Sequence, residues 1–284
     1  MTNNDSDTPV VLVTGASSGI GEACARLFHS QGYRVAATSN DRIGGAALEV
    51  ELNRQQSGTV TFIECDVRHP AQIDAMVFAA VEHFGRIDVL INNVGYNSPG
   101  KTLEEATLEE ISDLLSVNLL SCILVTRAAL RHLRESAGSI VNIGSLAASV
   151  GHEHLAVYCA AKGGITSFSR AMAIDETRFG VRVNTVIPGN ILTSSRERLE
   201  ASMPEAEARH FHDLVESWQW MGRSGLPSEV AQACLFLAGS GSSFITGAEI
   251  VVSGGADLGF GPKRWSVVDG HVTTDVGEKV LDKR

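Results

Sequence analysis

Short apolar runs recur along the chain, separated by longer stretches in which apolar residues return every three or four positions. The runs are Val10–Val13, Arg34–Thr38, Val60–Glu64, Val89–Asn92, Ser139–Ile143, Val181–Val186 and Glu249–Val252. Near-continuous Val and Ile runs of this length suit strands buried on both faces, and the helical periodicity between most of them supplies covering layers. The alternation predicts a Rossmann-like α/β fold, a doubly wound seven-stranded parallel sheet with helices on both faces. Such sheets bind ligands outside the carboxyl ends of their strands. Gly15, Asp66, Asn92, Ser145 and Pro188 each fall at or just past an expected strand end, so one edge of the sheet should gather them.

The alternation breaks from about Asn190 to Arg223, a stretch that carries Trp218, Trp220 and Met221 and reads as a substrate lid. Beyond Gly261 the chain becomes charged and Gly-poor. The expected organisation is one domain over 1–261, with the lid at about 190–223, followed by an extended or partly ordered tail over 262–284.

Composition fits this picture and removes several alternatives. A chain of 284 residues, 44% hydrophobic and with 28 Gly, suits a packed sheet covered by helices. A formal charge of −10 argues against nucleic acid or an anionic membrane surface as partner. Five scattered cysteines, odd in number and without metal-like spacing, read as reduced thiols. Residues Met1 to Thr8 lack a secretory pattern, and no run approaches about 18 apolar residues, so a cytoplasmic placement is expected. His152 and His154 form His-Glu-His rather than the His-Glu-x2-His helix of zinc proteases, and no metal is expected.

Two local patterns carry chemistry. Val10–Val13 runs into Thr14-Gly15-Ala16-Ser17-Ser18-Gly19-Ile20-Gly21 and then a helical pattern. There Gly15 permits a sharp turn, Gly19 admits a pyrophosphate to the backbone, Gly21 allows close helix packing, and the free amides of the helix face the phosphates. The spacing differs from Gly-x-Gly-x2-Gly, and on this segment alone a tight connection without a ligand stays open. Tyr158 and Lys162, four residues apart, share one face if their segment is helical, so an ammonium can stabilise a phenolate. Lowering a Tyr pKa from ~10 by roughly three units takes about 4 kcal/mol of such preference.

With Asp66 in Cys65-Asp66-Val67, Asn92-Asn93-Val94-Gly95, Asn118 in Val117-Asn118-Leu119, Ser145, and Pro188-Gly189 followed by Thr193, these motifs resemble, nearly end to end, the short-chain dehydrogenase/reductase (SDR) family of the single-domain type. The stretches from Pro188 to Ile191 and from Gly254 to Gly259 most resemble its type-fourteen branch of 17β-hydroxysteroid dehydrogenases. The resemblance implies an NAD(P)-dependent oxidoreductase acting on CH–OH groups. Hydride transfer needs a group that trades a proton with the substrate oxygen, and Tyr158 is the candidate, with Ser145 holding the same oxygen. Ser145 is not expected to be a nucleophile, because Ile143-Gly144-Ser145-Leu146-Ala147 lacks the last glycine of a hydrolase elbow. The family assigns Lys162 the lowering of the Tyr158 pKa and the nicotinamide ribose, and gives Asn118 the support of a water relay to Lys162.

For the cofactor, Gly15, Ser17, Ser18, Gly19 and Ile20 would surround the phosphates. Asp66 would accept from the adenine amino group and Val67 offer its amide. Asn92 and Gly95 would line the adenosine ribose side, and Ile187, Pro188, Gly189 and Thr193 the nicotinamide. Many NAD-preferring relatives place an Asp where this chain has Ser39. The Thr38 and Ser39 hydroxyls, the Asn40 amide and Arg42 suit a 2′-phosphate instead, which favours NADP(H) over NAD(H). The substrate-facing set is Tyr96, Leu146, His152, Asn190, Leu192 and Trp218, with Ala147, Leu155 and Met203 beside them. It suggests a small hydrophobic alcohol or ketone, steroid-like, alicyclic or aromatic. The family implies a homo-oligomer, tetramer or dimer, in which Phe260 would reach a neighbouring subunit's pocket. Two other readings are a non-catalytic nicotinamide-binding regulatory protein, disfavoured by the intact set Asn118, Ser145, Tyr158 and Lys162, and a sugar-nucleotide epimerase, for which too little chain follows the last strand.

Overall fold

The computed structural model describes residues 7–97 and 100–258, and the backbone of 265–268 and 271–274. Each apolar run forms a strand: β1 Val10–Thr14, β2 Arg34–Ser39, β3 Val60–Glu64, β4 Val89–Asn92, β5 Ser139–Ile143, β6 Arg182–Pro188 and β7 Glu249–Val252. They pair in the order β3-β2-β1-β4-β5-β6-β7, and every pairing is parallel. The order reverses between β1 and β4, the crevice at which a doubly wound sheet receives a dinucleotide.

Period-two alternation explains why the runs are apolar throughout. Val11 and Val13 of β1, Val35 and Ala37 of β2, Ile91 of β4 and Val141 of β5 enter one core layer. Val10, Leu12, Ala36, Leu90 and Ile140 enter the other. Both faces are therefore dry, and an alternating polar strand could not occupy them. The first layer is closed by α1 (Gly19–Ser30), α2 (Arg42–Gln55) and, near the C-terminus, Pro227–Ala238, through Phe28, Leu48, Leu52 and Leu237. The second is closed by α3 (Pro70–Phe84) and by a long helical run that begins with α4 (Leu108–Leu115), widens into a π turn over Ser116–Leu120 and continues as α5 (Ser121–Glu135). A Thr107–Glu110 capping box starts this run.

The run Leu108–Glu135 corrects one expectation, since it holds an 18-residue window of mean hydropathy 1.6, apolar enough by length and composition to cross a membrane. Its Leu114, Cys122, Val125, Ala129 and Leu133 are buried, Val125, Ala129 and Leu133 in the sheet's second layer, which accounts for that composition.

After β5 come α6 (Ala147–Val150) and α7 (Ala156–Glu176). The excursion after β6 is helical, with α8 (Ser194–Ala201) and α9 (Glu205–Glu216), and α10 (Pro227–Ala238) follows it. A parallel bridge between Ile191 and Gly225 closes its base, with Leu192 N–H donating to Gly225 O at 2.8 Å and Gly225 N–H to Asn190 O at 2.9 Å. In the expected tail, β8 (Trp265–Val268) pairs antiparallel with β9 (His271–Thr274). Phe260 lies outside the described residues.

Candidate active site

The turn between β1 and α1 is built around two left-handed glycines, Gly15 (φ 66°) and Gly19 (φ 57°). A Cβ on Gly21 would stand 2.1 Å from Gly15 O, so only glycine lets α1 start this close to the strand end. Asn93 braces the turn: its Nδ2 donates to Thr14 O at 3.0 Å and its backbone N–H to Thr14 Oγ1 at 3.0 Å. Thr193 closes the other side, its Cγ2 3.4 Å from where a Gly19 Cβ would be. Ser194 Oγ is buried there without a hydrogen-bond partner. A glycine cradle faced by an orphaned buried hydroxyl fits a dinucleotide.

At the end of β2, Ser39 Oγ hydrogen-bonds Ser17 Oγ at 2.8 Å and accepts from Asp41 N–H at 3.0 Å. The Asp41 carboxylate caps α2, accepting from Gly44 N–H at 3.0 Å, and so does not stand in for the missing strand-end carboxylate. Asn40 is exposed, and the Arg42 side chain, 82% exposed, reaches Glu64 only at 4.0 Å. Asp66 holds Arg68 through both carboxylate oxygens (2.7 to 3.1 Å), and that bond keeps its carboxyl below the usual range. Val67 is buried beside it.

Asn92 needs a correction. Its side chain does not line a ribose site but turns into the core, where Nδ2 donates to Thr126 Oγ1 at 2.9 Å and to Asn142 Oδ1 at 2.8 Å. Adjacent strand residues face opposite ways, so of the Asn92-Asn93 doublet one amide must serve the core and the other the turn. Asn93, Ser194 and Arg68 were missed in the sequence. The doublet itself was the signal for Asn93, and nothing in the sequence singles out Ser194 or Arg68.

The four expected catalytic residues meet beyond the ends of β4 and β5. Ser145 follows β5 and hydrogen-bonds the Tyr158 hydroxyl from α7. One turn on, Lys162 is buried, its Nζ donating to Ile143 O at 2.9 Å and lying 5.9 Å from the Tyr158 ring centroid. A Cβ on Gly95 would come within 2.6 Å of Asn118 Oδ1 and 3.0 Å of Lys162 Nζ, so Gly95, Asn118 and Lys162 are packed together. The π turn carries Asn118, whose Nδ2 donates to Tyr96 O at 2.9 Å and Leu114 O at 3.0 Å while Oδ1 accepts from Tyr96 N–H at 3.1 Å.

The electrostatics depart from the simple phenolate picture. Burial pushes the Tyr158 phenol up, and the Ser145 hydrogen bond only partly opposes it. Burial also lowers Lys162 from 10.5 to about 8. The chain's own groups thus leave Tyr158 a protonated donor, with desolvation outweighing the ammonium.

Of the expected substrate-facing residues, Tyr96 is partly exposed and its hydroxyl donates to Asp113. Its phenol is pushed up to about 12 by burial and by that bond. The His152 and Trp218 rings meet edge to face, centroids 5.9 Å apart, joining the loop after β5 to the excursion. Asn190 Nδ2 donates to Gln219 Oε1 at 3.0 Å, Leu192 is half-buried, and Leu146 is buried, with little surface left for a ligand. A separate cavity of about 410 Å3, between Tyr96, Leu103, Ile111 and Leu155, includes neither Ser145 nor Tyr158.

Comparison with known proteins agrees with this geometry. Residues 15–257 match the family model described as enoyl-(acyl carrier protein) reductase, of the short-chain dehydrogenase type. The chain is 43% identical over 265 residues to L-fucose dehydrogenase of Mus musculus, covering 93% of this chain and 94% of that protein. It is 35% identical over 250 residues to D-threitol dehydrogenase of Mycolicibacterium smegmatis (strain ATCC 700084 / mc(2)155), covering 88% and 93%. Among solved structures, actinorhodin polyketide ketoreductase with NADPH superposes with a TM-score of 0.82 at 33% identity, covering 89% of this chain and 98% of that one. None of these names supports the non-catalytic alternative. A sheet reversing between β1 and β4, a Ser-Tyr-Lys-Asn cluster at its carboxyl edge and relatives matched almost end to end make the chain a member of the short-chain dehydrogenase/reductase family, a nicotinamide-dependent oxidoreductase acting on CH–OH groups.

Proposed function

We propose that this protein moves a hydride between NADP(H) and the carbon of a small cyclic secondary alcohol or hemiacetal, with Tyr158 as the acid/base. The observation that carries the reading is the Ser145–Tyr158 hydrogen bond, backed by Lys162 and Asn118 packed on Gly95. The nicotinamide, when bound, supplies the hydride acceptor or donor. The two hydroxyls converge on one substrate oxygen, Ser145 holding it while Tyr158 exchanges its proton. Burial makes Tyr158 a good proton donor to a nascent alkoxide, and in the other direction the Lys162 ammonium must help carry the phenolate. With its pKa near 8, Lys162 remains mostly charged at neutral pH.

Gly15, Ser17, Ser18, Gly19 and Ile20 are assigned to the phosphates, Asp66 and Val67 to adenine, Gly95 to the adenosine ribose side, Lys162 to the nicotinamide ribose, and Pro188, Gly189, Thr193 and Ser194 to the nicotinamide side. The Ser39 and Asn40 side chains with Arg42 favour a 2′-phosphate, since Asp41 is engaged as a helix cap. The NADPH bound by the polyketide ketoreductase is in keeping with this preference.

For the substrate, Trp218 offers an apolar wall, and His152 and Tyr96 offer polar handles. A ring with one apolar face and several hydroxyls fits both. That class takes in the sugar and polyol of the relatives' names, and its less polar members include the alicyclic and steroid-like alcohols suggested by the type-fourteen likeness. Self-association is supported by Phe244, Ile174 and Val251, which stand exposed where an Arg170–Glu249 ion pair ties α7 to β7.

The test is calorimetry with NADPH and NADH side by side, followed by turnover of L-fucose, D-threitol, cyclohexanol and a 17β-hydroxysteroid by wild type and Tyr158→Phe. The expectation is tighter NADPH binding, turnover of at least one ring alcohol, and loss of turnover with retained cofactor binding in the variant. Turnover surviving in Tyr158→Phe would remove Tyr158 as acid/base, and a strong NADH preference would overturn the reading of Ser39.

A further inference from the structure

The excursion after β6 is held together by an ionic cluster that the chemistry above does not use. On α8, Arg196 Nε donates to Glu200 Oε1 at 2.7 Å and Nη1 to Ser224 Oγ at 2.5 Å. On α9, His212 lies between two carboxylates, Nδ1 3.3 Å from Glu200 Oε2 and Nε2 3.2 Å from Glu216 Oε1. Glu216 Oε1 also accepts from Ser224 N–H at 3.3 Å. Two helices and the closing neck thus meet at one imidazole. The side chains of Arg196 and Glu200 are only 11% and 17% exposed, against 72% and 90% for the surface pair Arg209–Glu205. Shielding of this kind separates an ion pair that holds structure from one that water screens.

A neutral imidazole carries one N–H and one lone pair, so with a carboxylate at each nitrogen one contact is repulsive, and only the cation donates to both. The charged groups facing His212 are Arg196 and Glu200 from α8 and Glu216 from its own helix, and the neck adds the Ser224 hydroxyl. The N-terminus of α8 is where this bears on function. Thr193 caps the helix, its Oγ1 accepting from Arg196 N–H at 3.4 Å, and also packs against Gly19 of the phosphate turn. Ser194, next to it, carries the orphaned hydroxyl. Whatever orients α8 therefore sets how Thr193 and Ser194 meet a ligand on that turn.

The geometry points to His212 as a positioning residue for the cofactor: by joining Glu200 to Glu216 as an imidazolium it fixes α8 with Thr193 and Ser194 closed over the dinucleotide, and loss of its proton releases them. This rests on the nicotinamide reading of the glycine turn. The test is fluorescence titration of the full-length protein with NADPH from about pH 5.5 to about pH 8.5, the span over which imidazole titrates, for wild type, His212→Gln and His212→Lys. Wild-type affinity is expected to fall roughly three- to fivefold as pH rises, as for loss of one partly shielded ion pair. His212→Gln should be weak at every pH relative to low-pH wild type, and His212→Lys, cationic throughout, should stay tight. Lys162 is common to all three proteins, so its titration cancels in the ratios. The KM for cofactor should follow these changes while kcat at saturating cofactor does not. His212→Gln with wild-type affinity and pH slope, or His212→Lys as weak as His212→Gln, would overturn the proposal. Failure of wild type to bind NADPH at any pH would instead overturn the cofactor reading on which it stands.

Discussion

Asn118 grips the peptide groups of Tyr96 at both polar atoms, its Oδ1 accepting from the amide N–H at 3.1 Å and its Nδ2 donating to the carbonyl at 2.9 Å. A side chain that mimics a strand partner this way immobilises the residue after Gly95, against which Lys162 packs. An amide so fully engaged holds the loop by direct contact, with the oxygen's second lone pair left for the water relay the family implies. Asn118→Ala should cost about 2 to 4 kcal/mol of stability through three lost buried hydrogen bonds and lower kcat at least about tenfold. Denaturant unfolding and steady-state kinetics on the same preparation check both.

Lys162 is stabilising for the chemistry and destabilising for the fold. Its pKa falls from 10.5 to about 8 because burial penalises the ammonium, so the native state prefers the neutral amine. The unfolded chain therefore binds more protons between about pH 8 and 10.5, and Lys162 makes stability rise with pH there, with the full penalty present below. Lys162→Met should unfold at higher denaturant near neutrality, by about 1 to 3 kcal/mol, lose that upward slope, and lack turnover. A variant less stable than wild type near pH 7 would count against the assignment.

Ser39→Asp should reverse cofactor choice. It places a carboxylate where the 2′-phosphate is proposed to lie and breaks the Ser17–Ser39 hydrogen bond. NADPH binding should weaken by about 1.4 kcal/mol or more, tenfold in Kd, with NADH binding retained. Parallel calorimetry with both cofactors reads the outcome.

Glycine substitutions separate crowding from flexibility. Gly21→Ala would drive a Cβ to 2.1 Å from Gly15 O and should abolish cofactor binding or folding. Gly163→Ala, inside α7 with nothing within 4 Å of the new methyl, should raise stability by roughly 0.5 to 1 kcal/mol. Thermal unfolding with and without NADPH distinguishes the two.

The strands were legible because a strand dry on both faces writes itself as an unbroken apolar run, and the observed ends differ from the expected ones by at most two residues. The site residues were legible as positions because strand ends gather at one edge. What the sequence hid was direction. Asn92 and Asn93 are chemically identical neighbours, and only the pleat decides which faces the core. The π turn that presents Asn118 has no compositional mark, and the apolar run Leu108–Glu135 passes by composition for a span when its apolar side lies on the sheet. Desolvation of Tyr158 depends on groups distant in sequence, so the spacing to Lys162 announced a partnership without its energetic balance.

The bridge between Ile191 and Gly225 gives the excursion a stem only one residue pair wide, hydrogen-bonded to itself rather than to the sheet. Everything between those two residues can lengthen, shorten or be exchanged while the seven strands keep their register. Substrate range in this protein is thus carried on a detachable cassette, and hydride chemistry on an invariant chassis.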